Sequence, residues 1–155
     1  MTRTTAREIA VHLVFQLIFS ESTAEELLEK AMAREAFSRL EDETPLYAEF
    51  PGKKQEEYIS YLVKGVYEHC PELDDYISKY AVGWSHARIS NMAVAIMRVA
   101  MYEALYRQDV PHAVAINEAV ELTKRYESED VVSFVNGILG SFVRNETPPD
   151  RDPIS

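Results

Sequence analysis

Apolar residues recur at three- and four-residue intervals along most of this chain, and nowhere do short alternating runs separated by turns predict a sheet. The first such run predicts a helix starting at "TTARE", where Thr5 and Glu8 have capping-box spacing, and continuing to about Phe19. Its apolar face is Ile9, Ala10, Leu13, Val14 and Leu17. A second starts at "ESTAEE", where Ser22 with Glu25 and Thr23 with Glu26 fit equally well, and carries apolar positions as far as Leu40. "EDETPLYAEFPGK" reads as a loop, since two prolines and a glycine break any period. A third helix spans about Lys54 to His69. Pro71 is expected to end it and to open a short fourth helix, "PELDDYISKY".

After the turn "AVGW", Ser85 can cap a fifth helix from about His86 to Tyr106, apolar on nearly every side and therefore the expected centre of the core. Asp109 can cap a sixth, with Pro111 in its first turn and Ala115, Ile116, Ala119, Val120, Leu122 and Tyr126 on its apolar face. Its polar face offers Glu121 to Arg125 at i,i+4. A seventh follows Ser128, with Val131, Phe134, Val135, Ile138, Leu139 and Phe142 facing inward; Gly137 and Gly140 are expected to admit a close neighbour. The pattern thus predicts an all-α fold of about seven helices in two packed sub-bundles, about 1–70 and 71–145, within one domain. A polar, proline-rich tail over 146–155 is expected to be disordered.

Composition narrows the possible functions. "MAVAIMRVAMYEALY" is too short and, with Arg98 and Glu103, too charged to span a membrane. The faintly signal-like N-terminus is broken by Glu8, His12 and Gln16, so a cytoplasmic protein is expected. A single cysteine, Cys70, excludes an internal disulfide framework. Neighbouring His69 and Cys70 point about 100° apart on a helix and cannot form a nucleophile–base pair. His12, His69, His86 and His112 have no ligand spacing for a metal. Neither a phosphate-binding glycine loop nor a nucleophile elbow occurs, so no enzyme and no cofactor is expected. Arg98 lies in an apolar helix, where an ion pair with Glu103 or Glu118 is the expected solution, ahead of a partner-facing role.

Net charge is −10, which argues against gripping nucleic acid by charge alone. The distribution is uneven: Met1–Ser20 carries two arginines and one glutamate, net +1, whereas Glu21–Glu57 carries eleven acids and five bases, net −6.

Several motifs, in order along the chain, carry more information than periodicity. "AREIAVHLVFQL", "GWSHARIS", "MRVAMYEAL", "VPHAVAINEAVELTKRY" and "FVNGIL" together resemble the NusB family of transcription antitermination factors, over about residues 3 to 144. The resemblance implies a helical, non-enzymatic protein that pairs with ribosomal protein S10 (NusE). The pair would bind boxA-type single-stranded RNA of nascent transcripts, notably ribosomal RNA, within an RNA polymerase elongation complex with other Nus factors. Family RNA contacts, carried over by position, become Arg3, Arg7 and Phe15. A cation for phosphate beside an aromatic for base stacking suits single-stranded RNA. Lys124 and Arg125 would extend the RNA path, and Asp130, near it, would restrain affinity by repelling phosphate. Where relatives often have consecutive arginines this chain has "RTTAR", so Thr4 and Thr5 replace potential phosphate contacts. The alternative reading is a helical protein-interaction module that binds S10 or another partner without RNA binding of its own.

Overall fold

The computed structural model describes residues 1–41, 43–83 and 89–149. Among these residues there are seven α-helices, one turn of 3-10 helix and no strand: α1 (Arg3–Ile18), α2 (Ala24–Ala31), α3 (Arg34–Leu40), α4 (Lys53–Tyr80), α5 (Asn91–Tyr106), α6 (His112–Tyr126) and α7 (Glu129–Glu146), with the 3-10 turn at Pro45–Tyr47. The number matches expectation, but the helices are not the same seven. The expected second helix is two, and the expected third and fourth are one.

The chain divides into two compact units, Met1–Glu68 and His69 onward, so the division falls inside α4. In the first unit, α1 is capped by Thr2 rather than by Thr5: the Thr2 hydroxyl oxygen accepts the Thr5 N–H at 3.1 Å. No acid lies in that first turn, which leaves the positive end of the helix dipole uncompensated by its own side chains. At α2 the structure chooses between the two capping boxes. Thr23 accepts the Glu26 N–H and donates to its carboxylate, both at 3.2 Å. Extended backbone at Ala33 then ends α2 and opens α3. Phe37 of α3 is buried edge-on against Tyr47 and Phe50, at 5.0 and 5.2 Å between ring centres.

α4 continues through Pro71 without interruption. Proline has no N–H for the carbonyl of Tyr67 four residues earlier, a loss that usually ends or kinks a helix. Buried Tyr58, Ile59, Leu62, Val63 and Val66 before it, and Leu73 and Ile77 after it, anchor both halves in core.

In the second unit α5, α6 and α7 pack pairwise. As its pattern predicts, α5 is buried on most sides, from Ala93 through Ala104. It starts later than expected, after Ser90, whose hydroxyl oxygen accepts the Ala93 N–H at 3.0 Å. The Ser85 cap and the start at His86 lie outside the described residues. Asp109 does not cap α6; Pro111 holds the cap position, and Arg107 grips the Asp109 carboxylate at 2.7 and 3.2 Å. Ser128 precedes α7 as expected, though its side chain makes no cap hydrogen bond.

One further expectation fails here. A β-carbon built at Gly137 meets nothing within 4 Å, and one at Gly140 meets only Arg144 of its own helix, so neither glycine admits a neighbour. Glu146 ends α7, taking hydrogen bonds from Lys79 Nζ and the Tyr80 hydroxyl, both at 2.5 Å. These two donors hold its carboxyl below the ordinary range. The tail from residue 150 lies outside the described residues.

Candidate nucleic-acid interface

The first turns of α1 carry both N-terminal arginines, four residues apart and therefore on neighbouring turns of one face. Both converge on Tyr58 of α4. The Arg3 guanidinium lies over the Tyr58 ring, 4.7 Å from its centre, and the Arg7 guanidinium sits 5.8 Å from the same centre. Arg7 Nη2 also donates to the Tyr58 hydroxyl at 2.9 Å. Their surroundings differ. Arg7 is 4% exposed, whereas Arg3 is half-buried and keeps access to water.

Phe15 lies two turns further along α1. It is half-buried and meets Phe19 edge-on at 5.2 Å, and Phe19 is 66% exposed. Between Arg7 and Phe15, Val11 is wholly buried. The i,i+4,i+8 spacing of Arg7, Val11 and Phe15 puts them on one stripe of the helix, and buried Val11 interrupts that stripe with core.

Beside this face, His12 Nδ1 contacts the Tyr47 hydroxyl at 3.3 Å. Burial lowers the His12 imidazolium below its ordinary range, with the Glu8 carboxylate opposing that shift. Burial, reinforced by Glu8, pushes the Tyr47 hydroxyl up to about 12.

The remaining site residues belong to the second unit. Lys124 and Arg125 are exposed in the last turn of α6, where cations suit the negative end of the helix. Glu121 pairs with Lys124, at i,i+3 and 3.0 Å, rather than with Arg125 as the i,i+4 spacing predicts. Asp130 is exposed in the first turn of α7 beside Glu129. Glu127, in the same connection, accepts a short hydrogen bond from the Ser90 hydroxyl.

Arg98 has a different partner from either expected carboxylate. Its Nε and Nη2 form a two-point pair with Asp74 of α4, at 2.8 and 2.9 Å, rather than with Glu103 or Glu118. Glu103 is wholly buried and Glu118 half-buried in the same unit. Cys70, one turn before Asp74, hydrogen-bonds that carboxylate at 3.8 Å, and burial pushes its thiol up. The residue that the sequence pattern does not single out is Tyr58, whose helical spacing with Ile59, Leu62, Val63 and Val66 marks it simply as core. Its hydroxyl was the available signal, because a buried tyrosine needs a hydrogen-bond partner.

Among the described residues no group of three His, Cys, Asp or Glu side chains is placed to hold a metal, and no helix is long and apolar enough to cross a membrane. The family model described as the NusB family matches residues 4–144.

The chain belongs to the NusB family.

Its curated relatives in that family are named transcription antitermination protein NusB, which places the chain among transcription antitermination factors. The Ruminiclostridium cellulolyticum protein is 39% identical over 150 residues, covering 97% of this chain and 94% of its own. The Acetivibrio thermocellus protein is 40% identical, with 93% and 90% covered, and the Bacillus subtilis protein 38%, with 91% and 94%. Among solved structures, T. maritima NusB matches with a TM-score of 0.71 at 30% identity, covering 96% of this chain and 94% of that one. A complex described as antitermination factors NusB and NusE with dsRNA matches with a TM-score of 0.70 at 22% identity, covering 92% and 96%; that likeness bears on the fold alone.

Proposed function

We propose that this chain serves transcription antitermination as a non-enzymatic adaptor. It pairs with ribosomal protein S10 (NusE), and the pair binds boxA RNA of nascent transcripts, notably ribosomal RNA, as part of an elongation complex. The observation that carries this reading is family membership across nearly the whole chain, with the N-terminal arginines of α1 gathered on one tyrosine. An adaptor works through surfaces rather than nucleophiles. The one thiol, raised above its ordinary range, is poorly suited to nucleophilic chemistry.

With a net charge of −10, a half-buried Arg3 and a buried Arg7, the isolated chain has a small electrostatic term for RNA. Affinity then depends on the basic partner. The experiment is co-purification with S10, followed by boxA RNA titration of chain and complex at two salt concentrations. The complex should bind tightly and the isolated chain weakly. Equal affinity would contradict the dependence on S10, and a complex that forms yet ignores boxA would overturn RNA binding. The latter outcome belongs to the alternative, an interaction module without RNA binding, which the pairing of Lys124 with Glu121 also suits. Arg3→Ala is the appropriate probe of the N-terminus, since replacing buried Arg7 would confound folding with binding.

A further inference from the structure

Tyr58 places two guanidinium groups that sequence alone treats as equivalent, and it treats them differently. Arg7 is buried and hydrogen-bonded to the tyrosine hydroxyl, whereas Arg3 stacks on the ring and stays open to water. A long, solvated arginine has many rotamers to lose on meeting a phosphate. A planar guanidinium held on an aromatic face has already lost part of that freedom.

We propose that Tyr58 is a positioning residue for RNA binding: its ring pre-orders Arg3 as the phosphate contact, and buried Arg7 braces the ring through the hydroxyl instead of touching RNA. This rests on the reading that the chain binds RNA through the N-terminus of α1. Arg3 and Tyr58 then act as one coupled unit across α1 and α4. Arg7, the arginine carried over with Arg3 as a contact, becomes the support beneath it.

The test measures boxA RNA affinity and its salt slope for the S10 complex carrying Arg3→Lys, Arg3→Ala, Tyr58→Phe, Tyr58→Leu, and Arg3→Ala with Tyr58→Leu. Lysine keeps the charge but not the stacked plane. Arg3→Lys should therefore lose roughly two- to fivefold in affinity with its slope unchanged. Arg3→Ala should lose more and flatten the slope by about 0.7, the share of one single-strand phosphate. Tyr58→Phe keeps the ring but removes the hydroxyl through which Arg7 braces it, so it should lose affinity by less than Tyr58→Leu, and Tyr58→Leu should match the Arg3→Lys loss. In the Arg3→Ala background, Tyr58→Leu should cost nothing further, because the interaction it supports is gone.

Arg3→Lys binding as wild type would overturn the proposal, as would a Tyr58→Leu loss that persists in full without Arg3. Should Tyr58→Leu not fold, Arg3→Lys decides alone, because half-buried Arg3 keeps access to water and lysine keeps its charge. An Arg3→Ala complex with unchanged affinity and slope would overturn this inference while leaving RNA binding standing. A wild-type complex that ignores boxA overturns the functional reading, and this inference with it.

Discussion

Arg98 sits in the most apolar helix of the chain, and its charge is met by Asp74, twenty-four residues earlier on α4. The Arg98 side chain is 15% exposed and that of Asp74 45%, so water screens the pair from one side. Arg98→Met should accordingly cost only about 1 kcal/mol, read as a lower urea midpoint, with S10 and RNA affinity unchanged. A loss of partner binding without a loss of stability would revive a partner-facing role. A second expectation at this scale concerns pH. The His12 imidazolium is lowered from 6.5 by burial, so just below that pH the unfolded chain binds more protons and stability falls as pH drops. Tyr47 is raised to about 12, so its contribution is complete below the ordinary 10.0 and is lost as pH rises towards 12. Urea midpoints at about pH 7.5 and about pH 5.5 should differ less in His12→Gln than in wild type. An undiminished difference would show that His12 does not carry the acid limb. The sequence contained every one of these residues, but ion-pair partners and burial depend on which helices meet.

At the level of elements, periodicity located nearly all the helical segments and failed at their ends. Two rules of local chemistry were overridden in opposite directions. Pro71 should have broken α4 and did not, because core residues on both sides of it hold the helix. The pattern carried from Leu27 to Leu40 was expected to be one helix, yet extended backbone at Ala33 splits it, and Phe37 packs with the 3-10 turn. Caps were only partly legible: of the two candidates at α2 Thr23 prevailed over Ser22, whereas α1 is capped by Thr2, which was not a candidate, in place of Thr5. Gly137 gives a prediction of its own. It lies exposed inside α7 with open space where a β-carbon would go. Gly137→Ala should raise stability by roughly 0.5–1 kcal/mol through helix propensity, measurable as a higher urea midpoint. Destabilisation would reveal a packing constraint that the isolated chain does not display.

Across the whole molecule, charge sets the terms on which RNA can be bound. Arg3, Arg7 and Phe15 belong to the first compact unit, and Lys124, Arg125 and Asp130 to the second. Within the first unit, Arg3 and Arg7 meet at one residue, Tyr58. Asp130 stands exposed in the first turn of α7, where it favours its own helix and would oppose a phosphate nearby. Asp130→Asn should tighten boxA binding by the S10 complex most clearly at low salt, with a few tenths of a kcal/mol lost in stability. Affinity that is unchanged at every salt concentration would remove Asp130 from the RNA path.

The sequence by itself determined the helical class, the apolar faces, the central burial of α5 and, through ordered motifs along the chain, the family. These are properties of periodicity and composition, which act within a few turns of the chain. Only the tertiary structure decided that α4 passes through Pro71, that Arg98 pairs with Asp74, and that Arg7 is buried on Tyr58 while Arg3 is not. Each of these depends on residues brought together from different elements, where the desolvation of a charge and the packing of a core outweigh local preference.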